Sequence, residues 1–162
     1  SKKNTMTIEL WSLGKENNKW MDEAITEYTK RINRYQAFKM VNIDNTKINK
    51  NTPMEQLLAR EADLITQKLT DRDLLIALDD KGKAFTSVQF AEKLNQTMNL
   101  SPQRIIFLIG GSYGIAQSLK EKSHFLLSLS TFTFPHQLVR LLFSEQLYRA
   151  FTILKNEKYH HE

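Results

Sequence analysis

No cysteine occurs in the 162 residues, so disulfides, thiolate zinc sites and a cysteine nucleophile are all excluded. There are three prolines and five glycines, too few for a collagenous or linker-like chain. No apolar run is long enough to cross a bilayer. Ser1-Lys2-Lys3-Asn4-Thr5-Met6 has no apolar stretch after its lysines, so no secretory leader is expected. Residues 1–5 read instead as a processed or appended end. A chain without thiols or leader fits the cytoplasm, with neither membrane nor metal as a partner. What is present is ordinary for a globular protein, 41% hydrophobic and 25% charged. One domain spanning 1–162 is long enough to bury a real core. The net charge of +5 leans towards a polyanionic partner such as nucleic acid. The lysines are dispersed, so a solubilising surface accounts for the charge equally well.

Along the chain, Met6 to Ser12 reads as a strand ended by Gly14. Lys19 to Tyr35 has helical spacing, with Trp20, Ala24, Ile25, Tyr28 and Ile32 on one face. Phe38 to Ile43 alternates as a half-exposed strand, followed by an Asn/Lys-rich loop over 44–51. Thr52-Pro53-Met54-Glu55 predicts a capped helix to about Lys68, with Leu57, Leu58, Ala62, Ile65 and Leu69 inward. Asp73 to Leu78 is an apolar strand closed by Asp79-Asp80-Lys81-Gly82-Lys83. Thr86-Ser87-Val88-Gln89 opens a helix with a second capping box, reaching about Met98. A strand to Ile109, a short helix over Ile115–Lys122, a strand over Phe125–Leu129 and a helix from Pro135 to about Asn156 complete the chain. Alternating strands and helices argue an α/β fold with a mainly parallel sheet. The last helix is apolar on nearly two sides, from Leu138 and Val139 to Phe151 and Leu154. Either a homodimer partner covers its second side or the helix is buried within the monomer.

The strand Ile105-Ile106-Phe107-Leu108-Ile109 runs into Gly110-Gly111-Ser112-Tyr113-Gly114. This is not the dinucleotide fingerprint, whose register and position in the chain differ, and no P-loop lysine follows. A lone glycine turn is often only structural. Its weight comes from the loops Leu78–Lys83 and Leu129–His136. All three follow apolar strands, and a parallel sheet gathers such loops at one edge.

Leu78-Asp79-x-x-Gly82-Lys83, Ile109-Gly110-Gly111-Ser112-x-Gly114, Leu127-Ser128-Leu129-Ser130, Thr133-Phe134-Pro135-His136, Arg140, Glu145 to Ala150 and Tyr159-His160 closely resemble the RlmH family of the SPOUT superfamily. The likeness covers nearly the whole chain. It departs at His161, where relatives usually carry Arg or Lys, and in the 44–51 loop. The resemblance implies a C-terminal trefoil knot, a homodimer and S-adenosylmethionine as cofactor. It also implies methyl transfer to N3 of a pseudouridine in large-subunit ribosomal RNA, with the assembled ribosome as partner. The cofactor contacts it implies fall on Leu78, Gly110, Leu129, Ser130, Thr131, Phe132, Thr133 and Phe134. Glycine admits close backbone approach, and the apolar side chains suit a slot for an aromatic ring.

Methylating N3 of a uracil ring requires loss of its proton, so a base or a cation that steadies the ring anion is needed. The catalytic candidates are His136, Arg149, Tyr159 and His160. His136 begins the last helix, where the dipole disfavours a charged imidazole, so it serves either as an acceptor or as a tie to the neighbouring loop. Glu145 and Arg149 share a helix face and also suit simple pairing. Arg140 suits a phosphate, the cofactor carboxylate or plain solvation. The pattern alone reads Tyr159 and His160 as a free end. Only the resemblance makes them a flap over the target base.

Overall fold

The protein is described here by a computed structural model covering residues 5–14 and 18–161. Residues 1–4 of the expected appended end lie outside that description, as does residue 162.

Five parallel strands form one sheet: β1 (Thr7–Leu13), β2 (Phe38–Ile43), β3 (Asp73–Ala84), β4 (Arg104–Ile109) and β5 (Phe125–Ser128), in the order β2-β1-β4-β3-β5. Both faces are covered, so β1 and β4 are buried almost throughout, β4 as an apolar run from Ile105 to Ile109 and β1 with Glu9 and Ser12 among its buried residues. One face packs Ile8, Leu10, Ile105 and Phe107 against helices α1 (Lys19–Asn33), α3 (Ser87–Met98) and α5 (His136–Leu154). The other packs Trp11, Leu75, Ile106 and Leu108 against α2 (Met54–Thr66) and α4 (Gln117–Lys122).

Helix α5 lies between α1 and α3. Its Phe143 ring sits 4.6 Å from Phe107, and Phe151 stacks on Tyr35 at 5.8 Å. Contacts on three sides within one chain therefore account for much of its apolar breadth.

Local signals fare unevenly. At Thr86 the capping box forms: Thr86 Oγ1 accepts from Gln89 N at 3.1 Å and Gln89 Oε1 from Thr86 N at 2.9 Å. At Thr52 it does not. Pro53 is extended at ψ 145° and itself occupies the cap position without a side-chain bond, which leaves Thr52 one residue too early. Trp20 is 62% exposed, because it sits in the first turn of α1, and Ile25 and Ile32 make the buried contact instead. Strand β3 does not end at Leu78. After a register shift Lys83 pairs with Leu127, the same residue that Leu78 faces, so residues 79–82 bulge from the ladder.

At the amino ends of the strands, Arg104 donates to both Asp73 carboxylate oxygens at 2.8 and 2.7 Å and to Lys68 O at 2.9 Å. It lies over the Trp11 ring, whose Nε1 donates to Glu9 at 2.9 Å. Burial pushes the Asp73 carboxyl up, but the bonds from Arg104 and Thr70 outweigh it and hold the carboxyl below the usual range.

Candidate functional site

The carboxyl ends of β3, β4 and β5 bring their loops together at one sheet edge, as a parallel sheet requires. There Leu78, Asp79, Ile109, Leu129, Phe134 and Val139 line a cavity of about 190 Å³, with Ser130, Phe132 and Thr133 also on its wall. A second cavity of about 530 Å³ shares Thr133, Phe134 and Val139 with it and continues past Gly14, Gly111 and His136. The 130–134 loop is braced from within. Ser128 Oγ donates to Ser130 O at 3.1 Å, and Phe132 N donates to Ser130 Oγ at 3.0 Å. Phe132 is 76% exposed at the rim, 6.4 Å from the Phe134 ring. Thr131 is exposed and lines neither cavity.

The glycine turn closes on itself. A Cβ on Gly110 would collide with the Gly114 carbonyl and the Ile115 side chain, and one on Gly111 would lie 2.9 Å from Glu61 Oε2. Packing inside the chain thus already demands glycine at 110, where backbone is met, while at 111 only the Glu61 carboxylate would have to shift. His136 Nε2 lies 2.5 Å from Gly110 O, so its N–H donates to that carbonyl and ties the start of α5 to the turn. Of the two roles open to His136, the tie is realised here, and the residue also lies on the wall of the larger cavity.

Glu61 is a residue that the sequence reading left out. It is buried, accepts from Asn45 Nδ2 at 2.9 Å through Oε2, and leaves Oε1 without a partner among the described residues. The signal for it was a charged residue on the inward stripe of α2, between Leu58 and Ile65. Asp79 and Asp80 were also passed over and line the smaller cavity. Burial works against the Asp79 carboxylate, but Lys120 at 2.8 Å holds it below the usual range.

The second group of candidates gathers elsewhere. Arg149 pairs with Glu145 at 2.7 Å, Tyr159 OH donates to the same Glu145 oxygen at 3.0 Å, and Arg149 lies 4.7 Å over the Tyr159 ring. The Arg149 guanidinium donates to His160 Nδ1 at 3.1 Å. A guanidinium has no acceptor, so His160 accepts through Nδ1 and carries its proton on Nε2, which is buried without a partner among the described residues. Burial, then hydrogen bonding with Tyr28 and Glu145, raises the Tyr159 phenol above its ordinary range. The tail is therefore docked rather than free. None of these four side chains lines either cavity. Arg149 stands 13 residues beyond His136 on α5, about 20 Å along the axis.

The family model described as "Predicted SPOUT methyltransferase" matches residues 6–160. The ribosomal RNA large subunit methyltransferase H of Flavobacterium johnsoniae is 45% identical over 157 residues, 97% of this chain and 100% of that protein. The chain belongs to the RlmH family of SPOUT methyltransferases. The namesake protein of Parabacteroides distasonis is 43% identical over the same share of both chains. In fold, a probable methylase family protein from Haemophilus influenzae Rd KW20 superposes with a TM-score of 0.53 at 14% identity, over 98% of this chain and 71% of that one. Membership of the RlmH family implies a methyl donor and an RNA substrate. No cluster of metal-ligating side chains occurs among the described residues, and no helix there is long and apolar enough to cross a membrane.

Proposed function

We infer that this chain is an S-adenosylmethionine-dependent methyltransferase that modifies N3 of a pseudouridine in large-subunit ribosomal RNA, acting in the cytoplasm on the assembled ribosome. The observation that carries this reading is the end-to-end likeness to large-subunit rRNA methyltransferases, with a preformed apolar cavity at the expected loops. The protein works as one domain over residues 1–162, with its C-terminal part threaded as a trefoil knot.

The residues present fit the cofactor. Leu78, Leu129 and Phe134 make an apolar slot for an aromatic ring, and Ser130, Thr133 and backbone atoms of the 130–134 loop offer polar edges. The slot alone is small, so the rest of the molecule occupies the adjoining larger cavity, which Thr133 and Phe134 also line. Gly110 supports this surface from behind through its closed turn. Bound there, the cofactor supplies an activated methyl group on sulfur. The protein has then to orient the ring nitrogen and favour its deprotonated form.

Tyr159, His160 and Arg149 are assigned to that task. Tyr159 stacks on the target base, His160 offers its Nε2–H to a ring carbonyl, and the Arg149 guanidinium steadies negative charge on the ring. His136 holds the turn from the wall of the larger cavity. Because the tail docks far from the loops of its own chain, it serves the loops of a second copy. The apolar breadth of α5 supports such a homodimer, and the half-buried Leu138, Leu141 and Leu142 are available to it.

Transfer of labelled methyl groups to ribosomes from cells lacking this protein tests the reading, with mass spectrometry of the product nucleoside. Incorporation at a pseudouridine N3 is expected. A protein that binds S-adenosylmethionine but labels neither ribosomes nor rRNA overturns it.

A further inference from the structure

A third cavity of about 700 Å³ lies between α1, the edge strand β2 and α5. Asp22, Thr29, Lys30, Lys39, Asn42 and Arg140 are on its wall. Arg140 is only 8% exposed, yet its guanidinium has no hydrogen-bond or ion-pair partner among the described residues, and Nε is wholly buried. The more exposed Arg104 and Arg149 each hold a carboxylate. A buried cation without a counter-charge is costly, and protein structures retain one where something compensates it. Lys30 and Lys39 stand on the same groove without ion pairs among the described residues, against the single carboxylate of Asp22. The groove therefore has an excess of positive charge, converging on a planar fork of donors that suits a phosphate in two-point contact.

Its position bears on the ligand. Arg140 follows His136 by four residues on α5, so the two side chains share a face with their Cβ atoms about 6 Å apart. His136 lines the larger cavity at the sheet edge. Helix spacing therefore brings Arg140 next to the edge at which a target base would meet the cofactor. We propose that Arg140 and the α1–β2 groove seat an RNA backbone phosphate flanking the methylated nucleotide, with Lys30 and Lys39 guiding the strand. This rests on the RNA-methyltransferase reading above. It adds the path of the substrate backbone, along the outer side of the sheet rather than across the cofactor loops.

The test compares the full-length wild type with Arg140→Gln and Arg140→Lys. Binding to ribosomes across a range of salt is measured first, since it needs no turnover. Arg140→Gln should weaken binding and raise KM roughly tenfold, with the slope of log affinity on log salt lowered by about one. Arg140→Lys should recover the salt slope but only part of the affinity, because it keeps the charge and loses the fork. S-adenosylmethionine affinity by calorimetry should not change. In a nitrogen-edited proton spectrum of the wild type, the buried Nε–H should shift on addition of inorganic phosphate. If Arg140→Gln proves unstable, the exposed Lys30→Ala/Lys39→Ala pair should still lower the salt slope. Unchanged ribosome affinity and salt slope in Arg140→Gln overturn the proposal. So does a loss confined to cofactor affinity, which would give Arg140 to the cofactor carboxylate. A variant that sediments as a monomer where the wild type is a dimer would make the groove a subunit contact instead. Wild type that binds ribosomes without methylating them defeats the enzymatic reading, while the salt slopes still judge this site.

Discussion

The two ends of the sheet are built on opposite principles. At the amino end, Arg104, Asp73, Glu9 and Trp11 satisfy one another through short bonds and a cation over a ring. At the carboxyl end, all five glycines of the chain gather with two joined cavities and the unpartnered oxygen of Glu61. Unmet polar groups and space occur together, and both occur where a ligand is expected. Stability and binding are thus assigned to different ends of the same strands. The tail cluster on α5 belongs to neither end. It is internally paired like the amino end, yet His160 keeps a buried donor free.

The largest effect should come from the tail. Truncation after Lys158 is expected to lower kcat on ribosomes by about a hundredfold or more, with cofactor affinity and sedimentation little changed. Mixing this variant with a Phe134→Asp protein should restore part of the activity if one copy's tail serves the other's loops. No recovery in the mixture would return the tail to its own chain.

At the loop end, Phe134→Ala should weaken S-adenosylmethionine binding by roughly tenfold to a hundredfold, since an aromatic wall of the slot is lost. Its melting temperature should move little. Gly110→Val is a poorer probe of binding, because its side chain would strike Gly114 and Ile115 and disturb the turn itself.

At the amino end the contrast reverses. Arg104→Met should cost about 2–3 kcal/mol of stability by stranding Asp73, with cofactor affinity intact, as read from urea melts and calorimetry. The Asp73 carboxyl is held below its unfolded value, so its contribution is present above that value and lost as pH falls through the folded one. The variant should therefore show a flatter acid limb. A variant that lost cofactor binding in step with stability would erase the distinction between the ends.

The smallest effect concerns Tyr35, whose phenol burial and then Glu157 push up to about 12. Its folded value exceeds the unfolded value near 10, so its contribution is complete below about 10 and fades as pH rises towards 12. Tyr35→Phe should shallow the alkaline limb of a thermal stability profile slightly.

Much of this layout was legible beforehand. Apolar strands running into glycines marked the loop end, and the Thr86–Gln89 pair marked the start of α3 within a residue. These signals are local, a few neighbouring side chains deciding a backbone path. What escaped depends on partners distant in sequence. Glu61 is buried because Asn45 and Gly111 meet it, and the amino-end network joins residues of three strands. The breadth of α5 pointed to a second surface, and α1 and α3 supply much of it. The docking of Tyr159 and His160 needed the Glu145–Arg149 pair as a platform, which helical spacing offered only as a surface ion pair.

The double pairing of Leu127, with Leu78 on one side of the 79–82 bulge and Lys83 on the other, bears on length variation. A segment whose two ends meet the same residue is pinned at both sides, so an inserted or deleted position has to be absorbed within the bulge itself. The 44–51 segment is held chiefly by short local turns, such as Thr46 N to Asp44 and Asn51 N to Asn49 at 2.9 Å each. Insertions and deletions should accumulate there among relatives and be absent from 79–82, although both segments lie at the surface.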